Sequence, residues 1–235
     1  MSEPSENSPR LLVSVRDADE AALACAAGVG LVDAKDPANG ALGALPVETV
    51  REIVRRVGAS VTTSAVAGEP EDAAALAPMV AAMAGTGVDY VKVAVRADQP
   101  DIALVEAAEA APGRLIGVLF AGDVFGLNVV SRLAEAGFCG AMIDTRAKDG
   151  RRLGDLLLPD DLAAFVAACH AHGLLSGLAG SLGVADIPGL AAHAPGYLGF
   201  RGGLCQDGDR RNALDPIRVG AAIAALRDLD RRDAA

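Results

Sequence analysis

The sequence predicts a single α/β domain with the (β/α)8 barrel fold, and three observations support this. Short apolar runs of four to eight residues recur along the 235-residue chain, each followed by a turn residue and a helical stretch. The runs start 20 to 35 residues apart, which is the spacing of strand–helix units. They are continuously apolar, which is typical of parallel strands covered by helices. Eight such units match a closed barrel.

Each predicted strand is one of these apolar runs, bounded by Gly, Pro, Asp or Ser. The eight strands are predicted at Leu11–Val15, Leu31–Lys35, Ser60–Val66, Tyr90–Val95, Leu115–Ala121, Gly140–Thr145, Leu175–Ala179 and Tyr197–Arg201.

Helices are predicted between the strands from proline at helix starts and glycine just past helix ends. They span Asp17–Ala27, Pro46–Val57, Pro70–Ala84, Pro100–Ala111, Asn128–Ala136, Pro159–His172, Val184–Ala192 and Pro216–Arg231. A doubly wound dinucleotide-binding sheet is the alternative, but it requires GxGxxG after the first strand, where this chain has Arg16–Glu20. The chain has no internal linker, so we expect a disordered tail over residues 1–9 and one barrel domain over residues 10–235.

Composition and charge exclude several classes of partner. The net charge of −10 argues against nucleic acid or an anionic membrane as a partner. The N-terminus has no signal-peptide pattern, and the uncharged stretch Leu162–Ala185 is broken by His and Gly. The four cysteines form no CxxC pair, which favours a reducing compartment. We therefore expect a cytoplasmic protein acting on a small molecule, with its oligomeric state open and a homo-oligomer as one option.

Only three of the 21 basic residues are lysine, and each lies at or just past the end of an apolar run. They are Lys35, Lys92 and Lys148. Lysine can lose its proton and attack a carbonyl group as a neutral amine, whereas arginine stays charged. Three lysines kept in an arginine-rich chain therefore indicate amine chemistry.

The barrel fold predicts that these lysines converge with two aspartates. Side chains alternate along a strand, so Asp33 and Lys35 point the same way, towards the barrel axis. The same alternation turns Lys92 and Asp144 inward, and Lys148 follows Asp144 in the loop. The predicted catalytic residues are thus Asp33, Lys35, Lys92, Asp144 and Lys148, at the C-terminal mouth of the barrel. Ordinary ion pairs, Asp33–Lys35 or Asp144–Lys148, are the structural alternative.

Two glycine-rich loops are predicted to bind phosphate. The loops after strands seven and eight form the usual phosphate site of this fold. Their candidate residues are Gly180, Ser181, Arg201, Gly202 and Gly203, with plain tight turns as the alternative. The role of Asp123, after strand five, stays open.

We expect no metal site or cofactor. His170 and His172 point to different faces of one helix, and His193 is isolated.

Five segments resemble the (5-formylfuran-3-yl)methyl phosphate synthase family: Asp33–Gly43, Asp89–Val93, Ala141–Gly150, Ala179–Leu182 and Arg201–Gly202. The resemblance implies a (β/α)8 lyase that joins two glyceraldehyde 3-phosphate molecules into a furan aldehyde phosphate, with loss of phosphate and water. That product supplies the furan of methanofuran- and methylofuran-type one-carbon carriers. The resemblance also implies that Lys35 forms the Schiff base, surrounded by the other four predicted residues.

The chain departs from the family pattern at Asp36, where Asn is usual, and at Ala41, where Ser is common. Two alternatives remain open. One is a class I aldolase or phosphosugar isomerase, which would release no inorganic phosphate. The other is a non-catalytic barrel that binds triose phosphate without a covalent adduct.

Overall fold

A computed structural model describes residues 8–123, 126–147 and 150–233 of the chain. Within them lie eight parallel strands: β1 Arg10–Val15, β2 Leu31–Ala34, β3 Thr62–Gly68, β4 Tyr90–Ala94, β5 Leu115–Ala121, β6 Gly140–Thr145, β7 Leu175–Leu178 and β8 Tyr197–Phe200. Each strand pairs with the next in chain order, and β8 pairs with β1 to close the barrel. The predicted (β/α)8 fold is confirmed. Lys148 and residues 1–7 of the predicted tail lie outside the described residues.

Helices alternate with the strands, as predicted. They are α1 Ala18–Ala26, α2 Val47–Val57, α3 Ala73–Ala84, α4 Asp101–Ala110, α5 Asn128–Glu135, α6 Leu153–Leu156, α7 Pro159–Ala171, α8 Ile187–Ala191 and α9 Pro216–Asp233. The start predicted for α3 at Pro70 was wrong. The side chain of Asp72 accepts a hydrogen bond from the backbone N–H of Ala75 at 2.9 Å and so caps the helix at Ala73.

Two apolar layers surround the sheet, because successive strand residues point to opposite faces. Val32 and Ala34 of β2, and Val91 and Val93 of β4, belong to the layer between the strands and the helices. Leu12, Leu31, Val66, Ile116 and Phe120 belong to a separate cluster inside the barrel. The alternation on β2 and β4 therefore turns Asp33 and Lys92 inward, as predicted. None of the described helices has both the length and the apolar character that a membrane span requires.

Candidate active site

A cavity of about 720 Å³ lies at the C-terminal ends of the strands. Its walls come from strand interiors and from the loops that follow β7 and β8, and they include Asp33, Lys35, Lys92 and Asp144. This volume suits a small-molecule ligand, and the position is the one at which barrel enzymes place their active sites. The structure therefore brings together the four predicted catalytic residues that it describes.

Lys35 and Asp144 form an ion pair across the cavity. Lys35 directly follows β2. Its Nζ lies 3.1 Å from Oδ2 of Asp144, near the end of β6. The other oxygen of Asp144, Oδ1, accepts a hydrogen bond from the backbone N–H of Thr145 at 2.7 Å. This bond fixes the carboxylate, so that Oδ2 is held where it can exchange a proton with the Lys35 amine.

Lys92 and Asp33 form a second pair, which is more deeply buried. Nζ of Lys92 lies 2.9 Å from Oδ1 of Asp33, and each side chain is at most 3% exposed. The hydroxyl of Ser64 donates to Oδ1 at 2.6 Å, and that of Ser14 donates to Oδ2 at 3.1 Å. Ser14 and Ser64 flank Asp33 because β1 and β3 place them in register with it. Charge-assisted hydrogen bonds from both sides fix the position of this carboxylate.

Burial lowers the pKa of Lys92 below its ordinary value, because the ammonium group has lost its hydration. The pairing with Asp33 opposes this shift, and the nearby charge of Lys35 adds to it. Nζ of Lys92 also lies 5.5 Å from the centre of the Tyr197 ring. The Tyr197 hydroxyl is buried and has no hydrogen-bond partner in the described part of the chain. Lys92 therefore gives up a proton more readily than a surface lysine.

Neither serine was predicted, although the sequence contains a signal for both. Each is a polar residue inside an otherwise buried strand, at a position where alternation points the side chain inward. The signal did not identify Asp33 as the partner of both serines, because the register between neighbouring strands is set by the closure of the barrel.

Asp123, whose role was left open, lies away from this cluster. Its Oδ2 is 2.8 Å from Nη2 of Arg146, and Arg146 also pairs with Glu69 at 2.6 Å and lies over the Phe120 ring. Asp123 does not appear among the residues that line the main cavity within the described structure.

The loops after β7 and β8 both border the cavity, and all five predicted phosphate-binding residues line it. A Cβ atom on Gly203 would lie 2.1 Å from the carbonyl oxygen of Leu182, so the two loops touch where only glycine fits. Gly180 has a φ of +120°, and a Cβ there would lie 2.6 Å from Cγ2 of Thr145. Gly203 is thus needed for the close approach of the two loops, and Gly180 for the approach of the loop after β7 to the end of β6. Their binding of phosphate remains a prediction.

Arg201, which the sequence predicted to bind phosphate, borders the cavity but makes its hydrogen bonds within the protein. Its Nε donates to the carbonyl of Arg210 at 2.8 Å. Nη1 and Nη2 donate to the carboxylate of Glu20 and to the carbonyls of Ser14 and Asn212. A guanidinium has five N–H donors, and these contacts occupy all of them. Arg201 therefore has no donor left for a phosphate group in this arrangement.

Three other arginines that border the cavity were not predicted: Arg152, Arg210 and Arg218. Arg152 pairs with Asp186 at 3.3 Å. The sequence contained no signal that separated these three from the other arginines. Among the described residues, no three His, Cys, Asp or Glu side chains are grouped closely enough to hold a metal ion.

Comparison with known proteins shows one family. The model of the 4-HFC-P synthase family matches residues 11–223. A protein of Methylorubrum extorquens, which carries a provisional form of the name (5-formylfuran-3-yl)methyl phosphate synthase, is 59% identical over 97% of this chain and 95% of its own length. The (5-formylfuran-3-yl)methyl phosphate synthase of Methanopyrus kandleri is 35% identical over 93% of this chain and 99% of its own.

Solved structures show the same fold at low identity. Phosphoribosyl anthranilate isomerase from Thermus thermophilus matches with a TM-score of 0.67 at 16% identity, over 94% of this chain and 99% of its own. The 3-hexulose-6-phosphate synthase from Salmonella typhimurium matches with a TM-score of 0.67 at 15% identity, over 93% of this chain and 99% of its own. These likenesses concern the barrel architecture alone.

Proposed function

The chain belongs to the 4-HFC-P synthase family, and from this we propose that it joins two glyceraldehyde 3-phosphate molecules into (5-formylfuran-3-yl)methyl phosphate by Schiff-base catalysis. The observation that carries the proposal is the pair of lysine–aspartate contacts, Lys35–Asp144 and Lys92–Asp33, in one cavity. Amine chemistry requires a lysine beside a proton acceptor, and the cavity supplies this arrangement twice. Its glycine-rich loops support a phosphorylated substrate.

The first step is attack of the Lys35 amine on the aldehyde of a triose phosphate. Asp144, 3.1 Å away, takes the proton from the Lys35 ammonium and so frees the nitrogen lone pair. The new C–N bond forms as the carbonyl oxygen accepts a proton, and loss of that oxygen as water gives an iminium ion. The iminium withdraws electrons and makes the hydrogen on the neighbouring carbon acidic.

The second step uses this acidity to expel phosphate. A carboxylate, Asp144 or Asp33, removes the proton from the carbon next to the iminium, and the electron pair forms an enamine. The enamine then expels the phosphate from the third carbon, or adds to the aldehyde of the second triose. Lys92 has a lowered pKa, so it is suited to protonate the departing or developing oxyanion.

The remaining steps close the ring and release the product. An oxygen of one triose attacks a carbon of the other, loss of water makes the ring aromatic, and hydrolysis of the imine frees Lys35. The two trioses supply all the carbon of the product. One phosphate is lost, the other stays on the product, and the remaining oxygen and hydrogen leave as water.

Borohydride trapping with glyceraldehyde 3-phosphate, followed by peptide mass mapping, tests the assignment of Lys35. Reduction fixes the imine as a stable amine, and a modified Lys35 resists trypsin, so the adduct should appear on a peptide spanning residues 17–51. Furan product and inorganic phosphate should form together in the untrapped reaction. Lys35→Arg keeps the charge but has no nucleophilic amine, so we expect it to bind substrate without adduct or turnover.

Other outcomes would change the proposal in defined ways. An adduct on Lys92 would keep the chemistry and move the nucleophile. Cleavage or rearrangement without phosphate release would indicate an aldolase or isomerase. Binding with neither adduct nor phosphate release would indicate a non-catalytic barrel.

A further inference from the structure

We propose that Arg210, in the loop between β8 and α9, is the arginine that binds the phosphate group of the substrate, and that Arg201 only holds this loop in place. The proposal rests on the proposed function, because it names the contact for the substrate of that site. The sequence predicted Arg201 as the one arginine of the phosphate site. The proposal instead assigns phosphate binding to Arg210 and support of the loop to Arg201.

Arg201 acts as a support for the loop that presents Arg210. It donates hydrogen bonds to the backbone carbonyls of Arg210, at 2.8 Å, and of Asn212, at 3.0 Å. Its other donors join the loop to Glu20 at α1 and to the carbonyl of Ser14 in β1. The loop is therefore fixed to the barrel at its backbone, which leaves the Arg210 side chain in a defined position.

The Arg210 side chain borders the cavity and keeps an unused donor. Its Nη2 donates to the carbonyl of Gly40 at 2.6 Å, which links the loop after β8 to the loop after β2. Its Nε is buried and has no hydrogen-bond partner in the part of the chain that the structure describes. A buried donor without a partner is costly, so an acceptor supplied by a ligand would satisfy it.

Arg210 also differs from the other cations of the cavity in its charge balance. All the others have a carboxylate within ion-pair distance: Lys35, Lys92, Arg152, Arg201 and Arg218. Among the described residues none is found at that distance from Arg210. Burial lowers the pKa of its guanidinium, as expected for a cation that lacks a close counter-ion. A dianionic phosphate is the ligand that would balance this charge, and a planar guanidinium suits it.

Phosphate binding and steady-state kinetics on the full chain test the assignment. Inorganic phosphate is the calorimetric probe, and KM and kcat are measured with glyceraldehyde 3-phosphate. Arg210→Met removes the charge at similar volume, so we expect roughly ten- to hundredfold weaker phosphate binding and a similar rise in KM. The value of kcat should change much less. Arg210→Lys should recover part of the loss. Arg211→Met is the matched control, because Arg211 neighbours Arg210 in the chain but is exposed, pairs with Asp209 and is not among the described residues that line the cavity.

The outcomes separate this inference from the proposed function. A folded Arg210→Met chain that binds phosphate as tightly as wild type would overturn the inference, as would a wild-type chain that binds no phosphate. Equal losses in Arg210→Met and Arg211→Met would also overturn it, since they would reflect net charge alone. Loss of phosphate binding only in Arg210→Met would support it, even if wild type formed no furan product and the proposed function failed.

Discussion

Asp33 and Lys92 make up a buried ion pair in which each charge depends on the other. Removing one partner of such a pair leaves an uncompensated charge out of water, which costs about 3–5 kcal/mol. We expect Lys92→Met to lose about this much free energy of unfolding, because the hydroxyls of Ser14 and Ser64 would then be the remaining hydrogen-bond partners of the Asp33 carboxylate among the described residues. Urea denaturation at neutral pH measures the loss.

The double variant Lys92→Met/Asp33→Asn separates the ion pair from the loss of packing. The amide that replaces the carboxylate at position 33 can still bond to both serines, and no charge is left buried. Most of the lost stability should return in the double variant. A double variant as unstable as Lys92→Met would show that packing of the lysine stem, and not its charge, stabilises the site.

At the residue scale, the sequence predicted which side chains enter the cavity but not what each one contacts. Alternation along β2 and β4 was enough to turn Asp33 and Lys92 inward. It did not predict that Lys92 would pair with Asp33 or that Lys35 would pair with Asp144. These pairings depend on the stagger between strands that lie far apart in the chain, which local patterns do not encode.

At the element scale, the contact between the loops after β7 and β8 is the feature most open to test. In Gly203→Ala the new Cβ would lie 2.1 Å from the carbonyl of Leu182, so one loop must move. We expect weaker phosphate binding and a higher KM, because both loops border the cavity. Calorimetry with inorganic phosphate and steady-state kinetics measure the change.

Gly220→Ala is the matched control for this change. Gly220 lies inside α9, and a Cβ there meets no atom within 4 Å. Alanine at such a position should raise the free energy of unfolding by roughly 0.5–1 kcal/mol and leave phosphate binding unchanged. If Gly203→Ala bound phosphate as well as Gly220→Ala, contact between the loops would not be needed for the site.

Element boundaries were predicted well where capping chemistry is local. The ends of α1 and α2 were predicted from the glycine just past each helix, and they lie close to the predicted positions. The four-residue helix α6 was missed, since a segment of this length carries no apolar period. Pro46 and Pro100 were placed inside their helices but serve as N-caps, because a helix-starting proline can lie on either side of that boundary.

For the whole molecule, the sequence predicted a closed barrel because the strand pattern repeats eight times. The contacts that join its first and last units were not predictable. Arg201 after β8 pairs with Glu20 of α1, a contact that spans 181 positions of the chain. Such a pair forms only when β8 meets β1. The contact with Glu20 explains why Arg201, which was predicted to bind phosphate, holds the barrel together instead.

The four cysteines provide a test of whether the barrel unfolds as a single unit. Burial raises the pKa of Cys169 to about 12 and that of Cys139 to about 11, and it also raises the pKa values of Cys25 and Cys205. A raised pKa leaves less thiolate, the form that alkylating reagents attack. Cys169 and Cys205 are fully buried, whereas Cys25 and Cys139 are partly exposed. Reaction at the two buried thiols therefore requires the structure to open.

We expect iodoacetamide, at mildly alkaline pH, to label Cys25 first and to leave Cys169 and Cys205 unmodified in the native protein. Both buried thiols should react at a rate that follows the population of the unfolded chain, because they pack in the layer between the strands and the helices. Mass spectrometry of samples taken over time, with and without urea, measures this. Protein labelled fully in urea is the control for intrinsic reactivity. If Cys169 reacted as fast as Cys25 without denaturant, α7 would open independently of the barrel, and the unit that unfolds would be smaller than the whole domain.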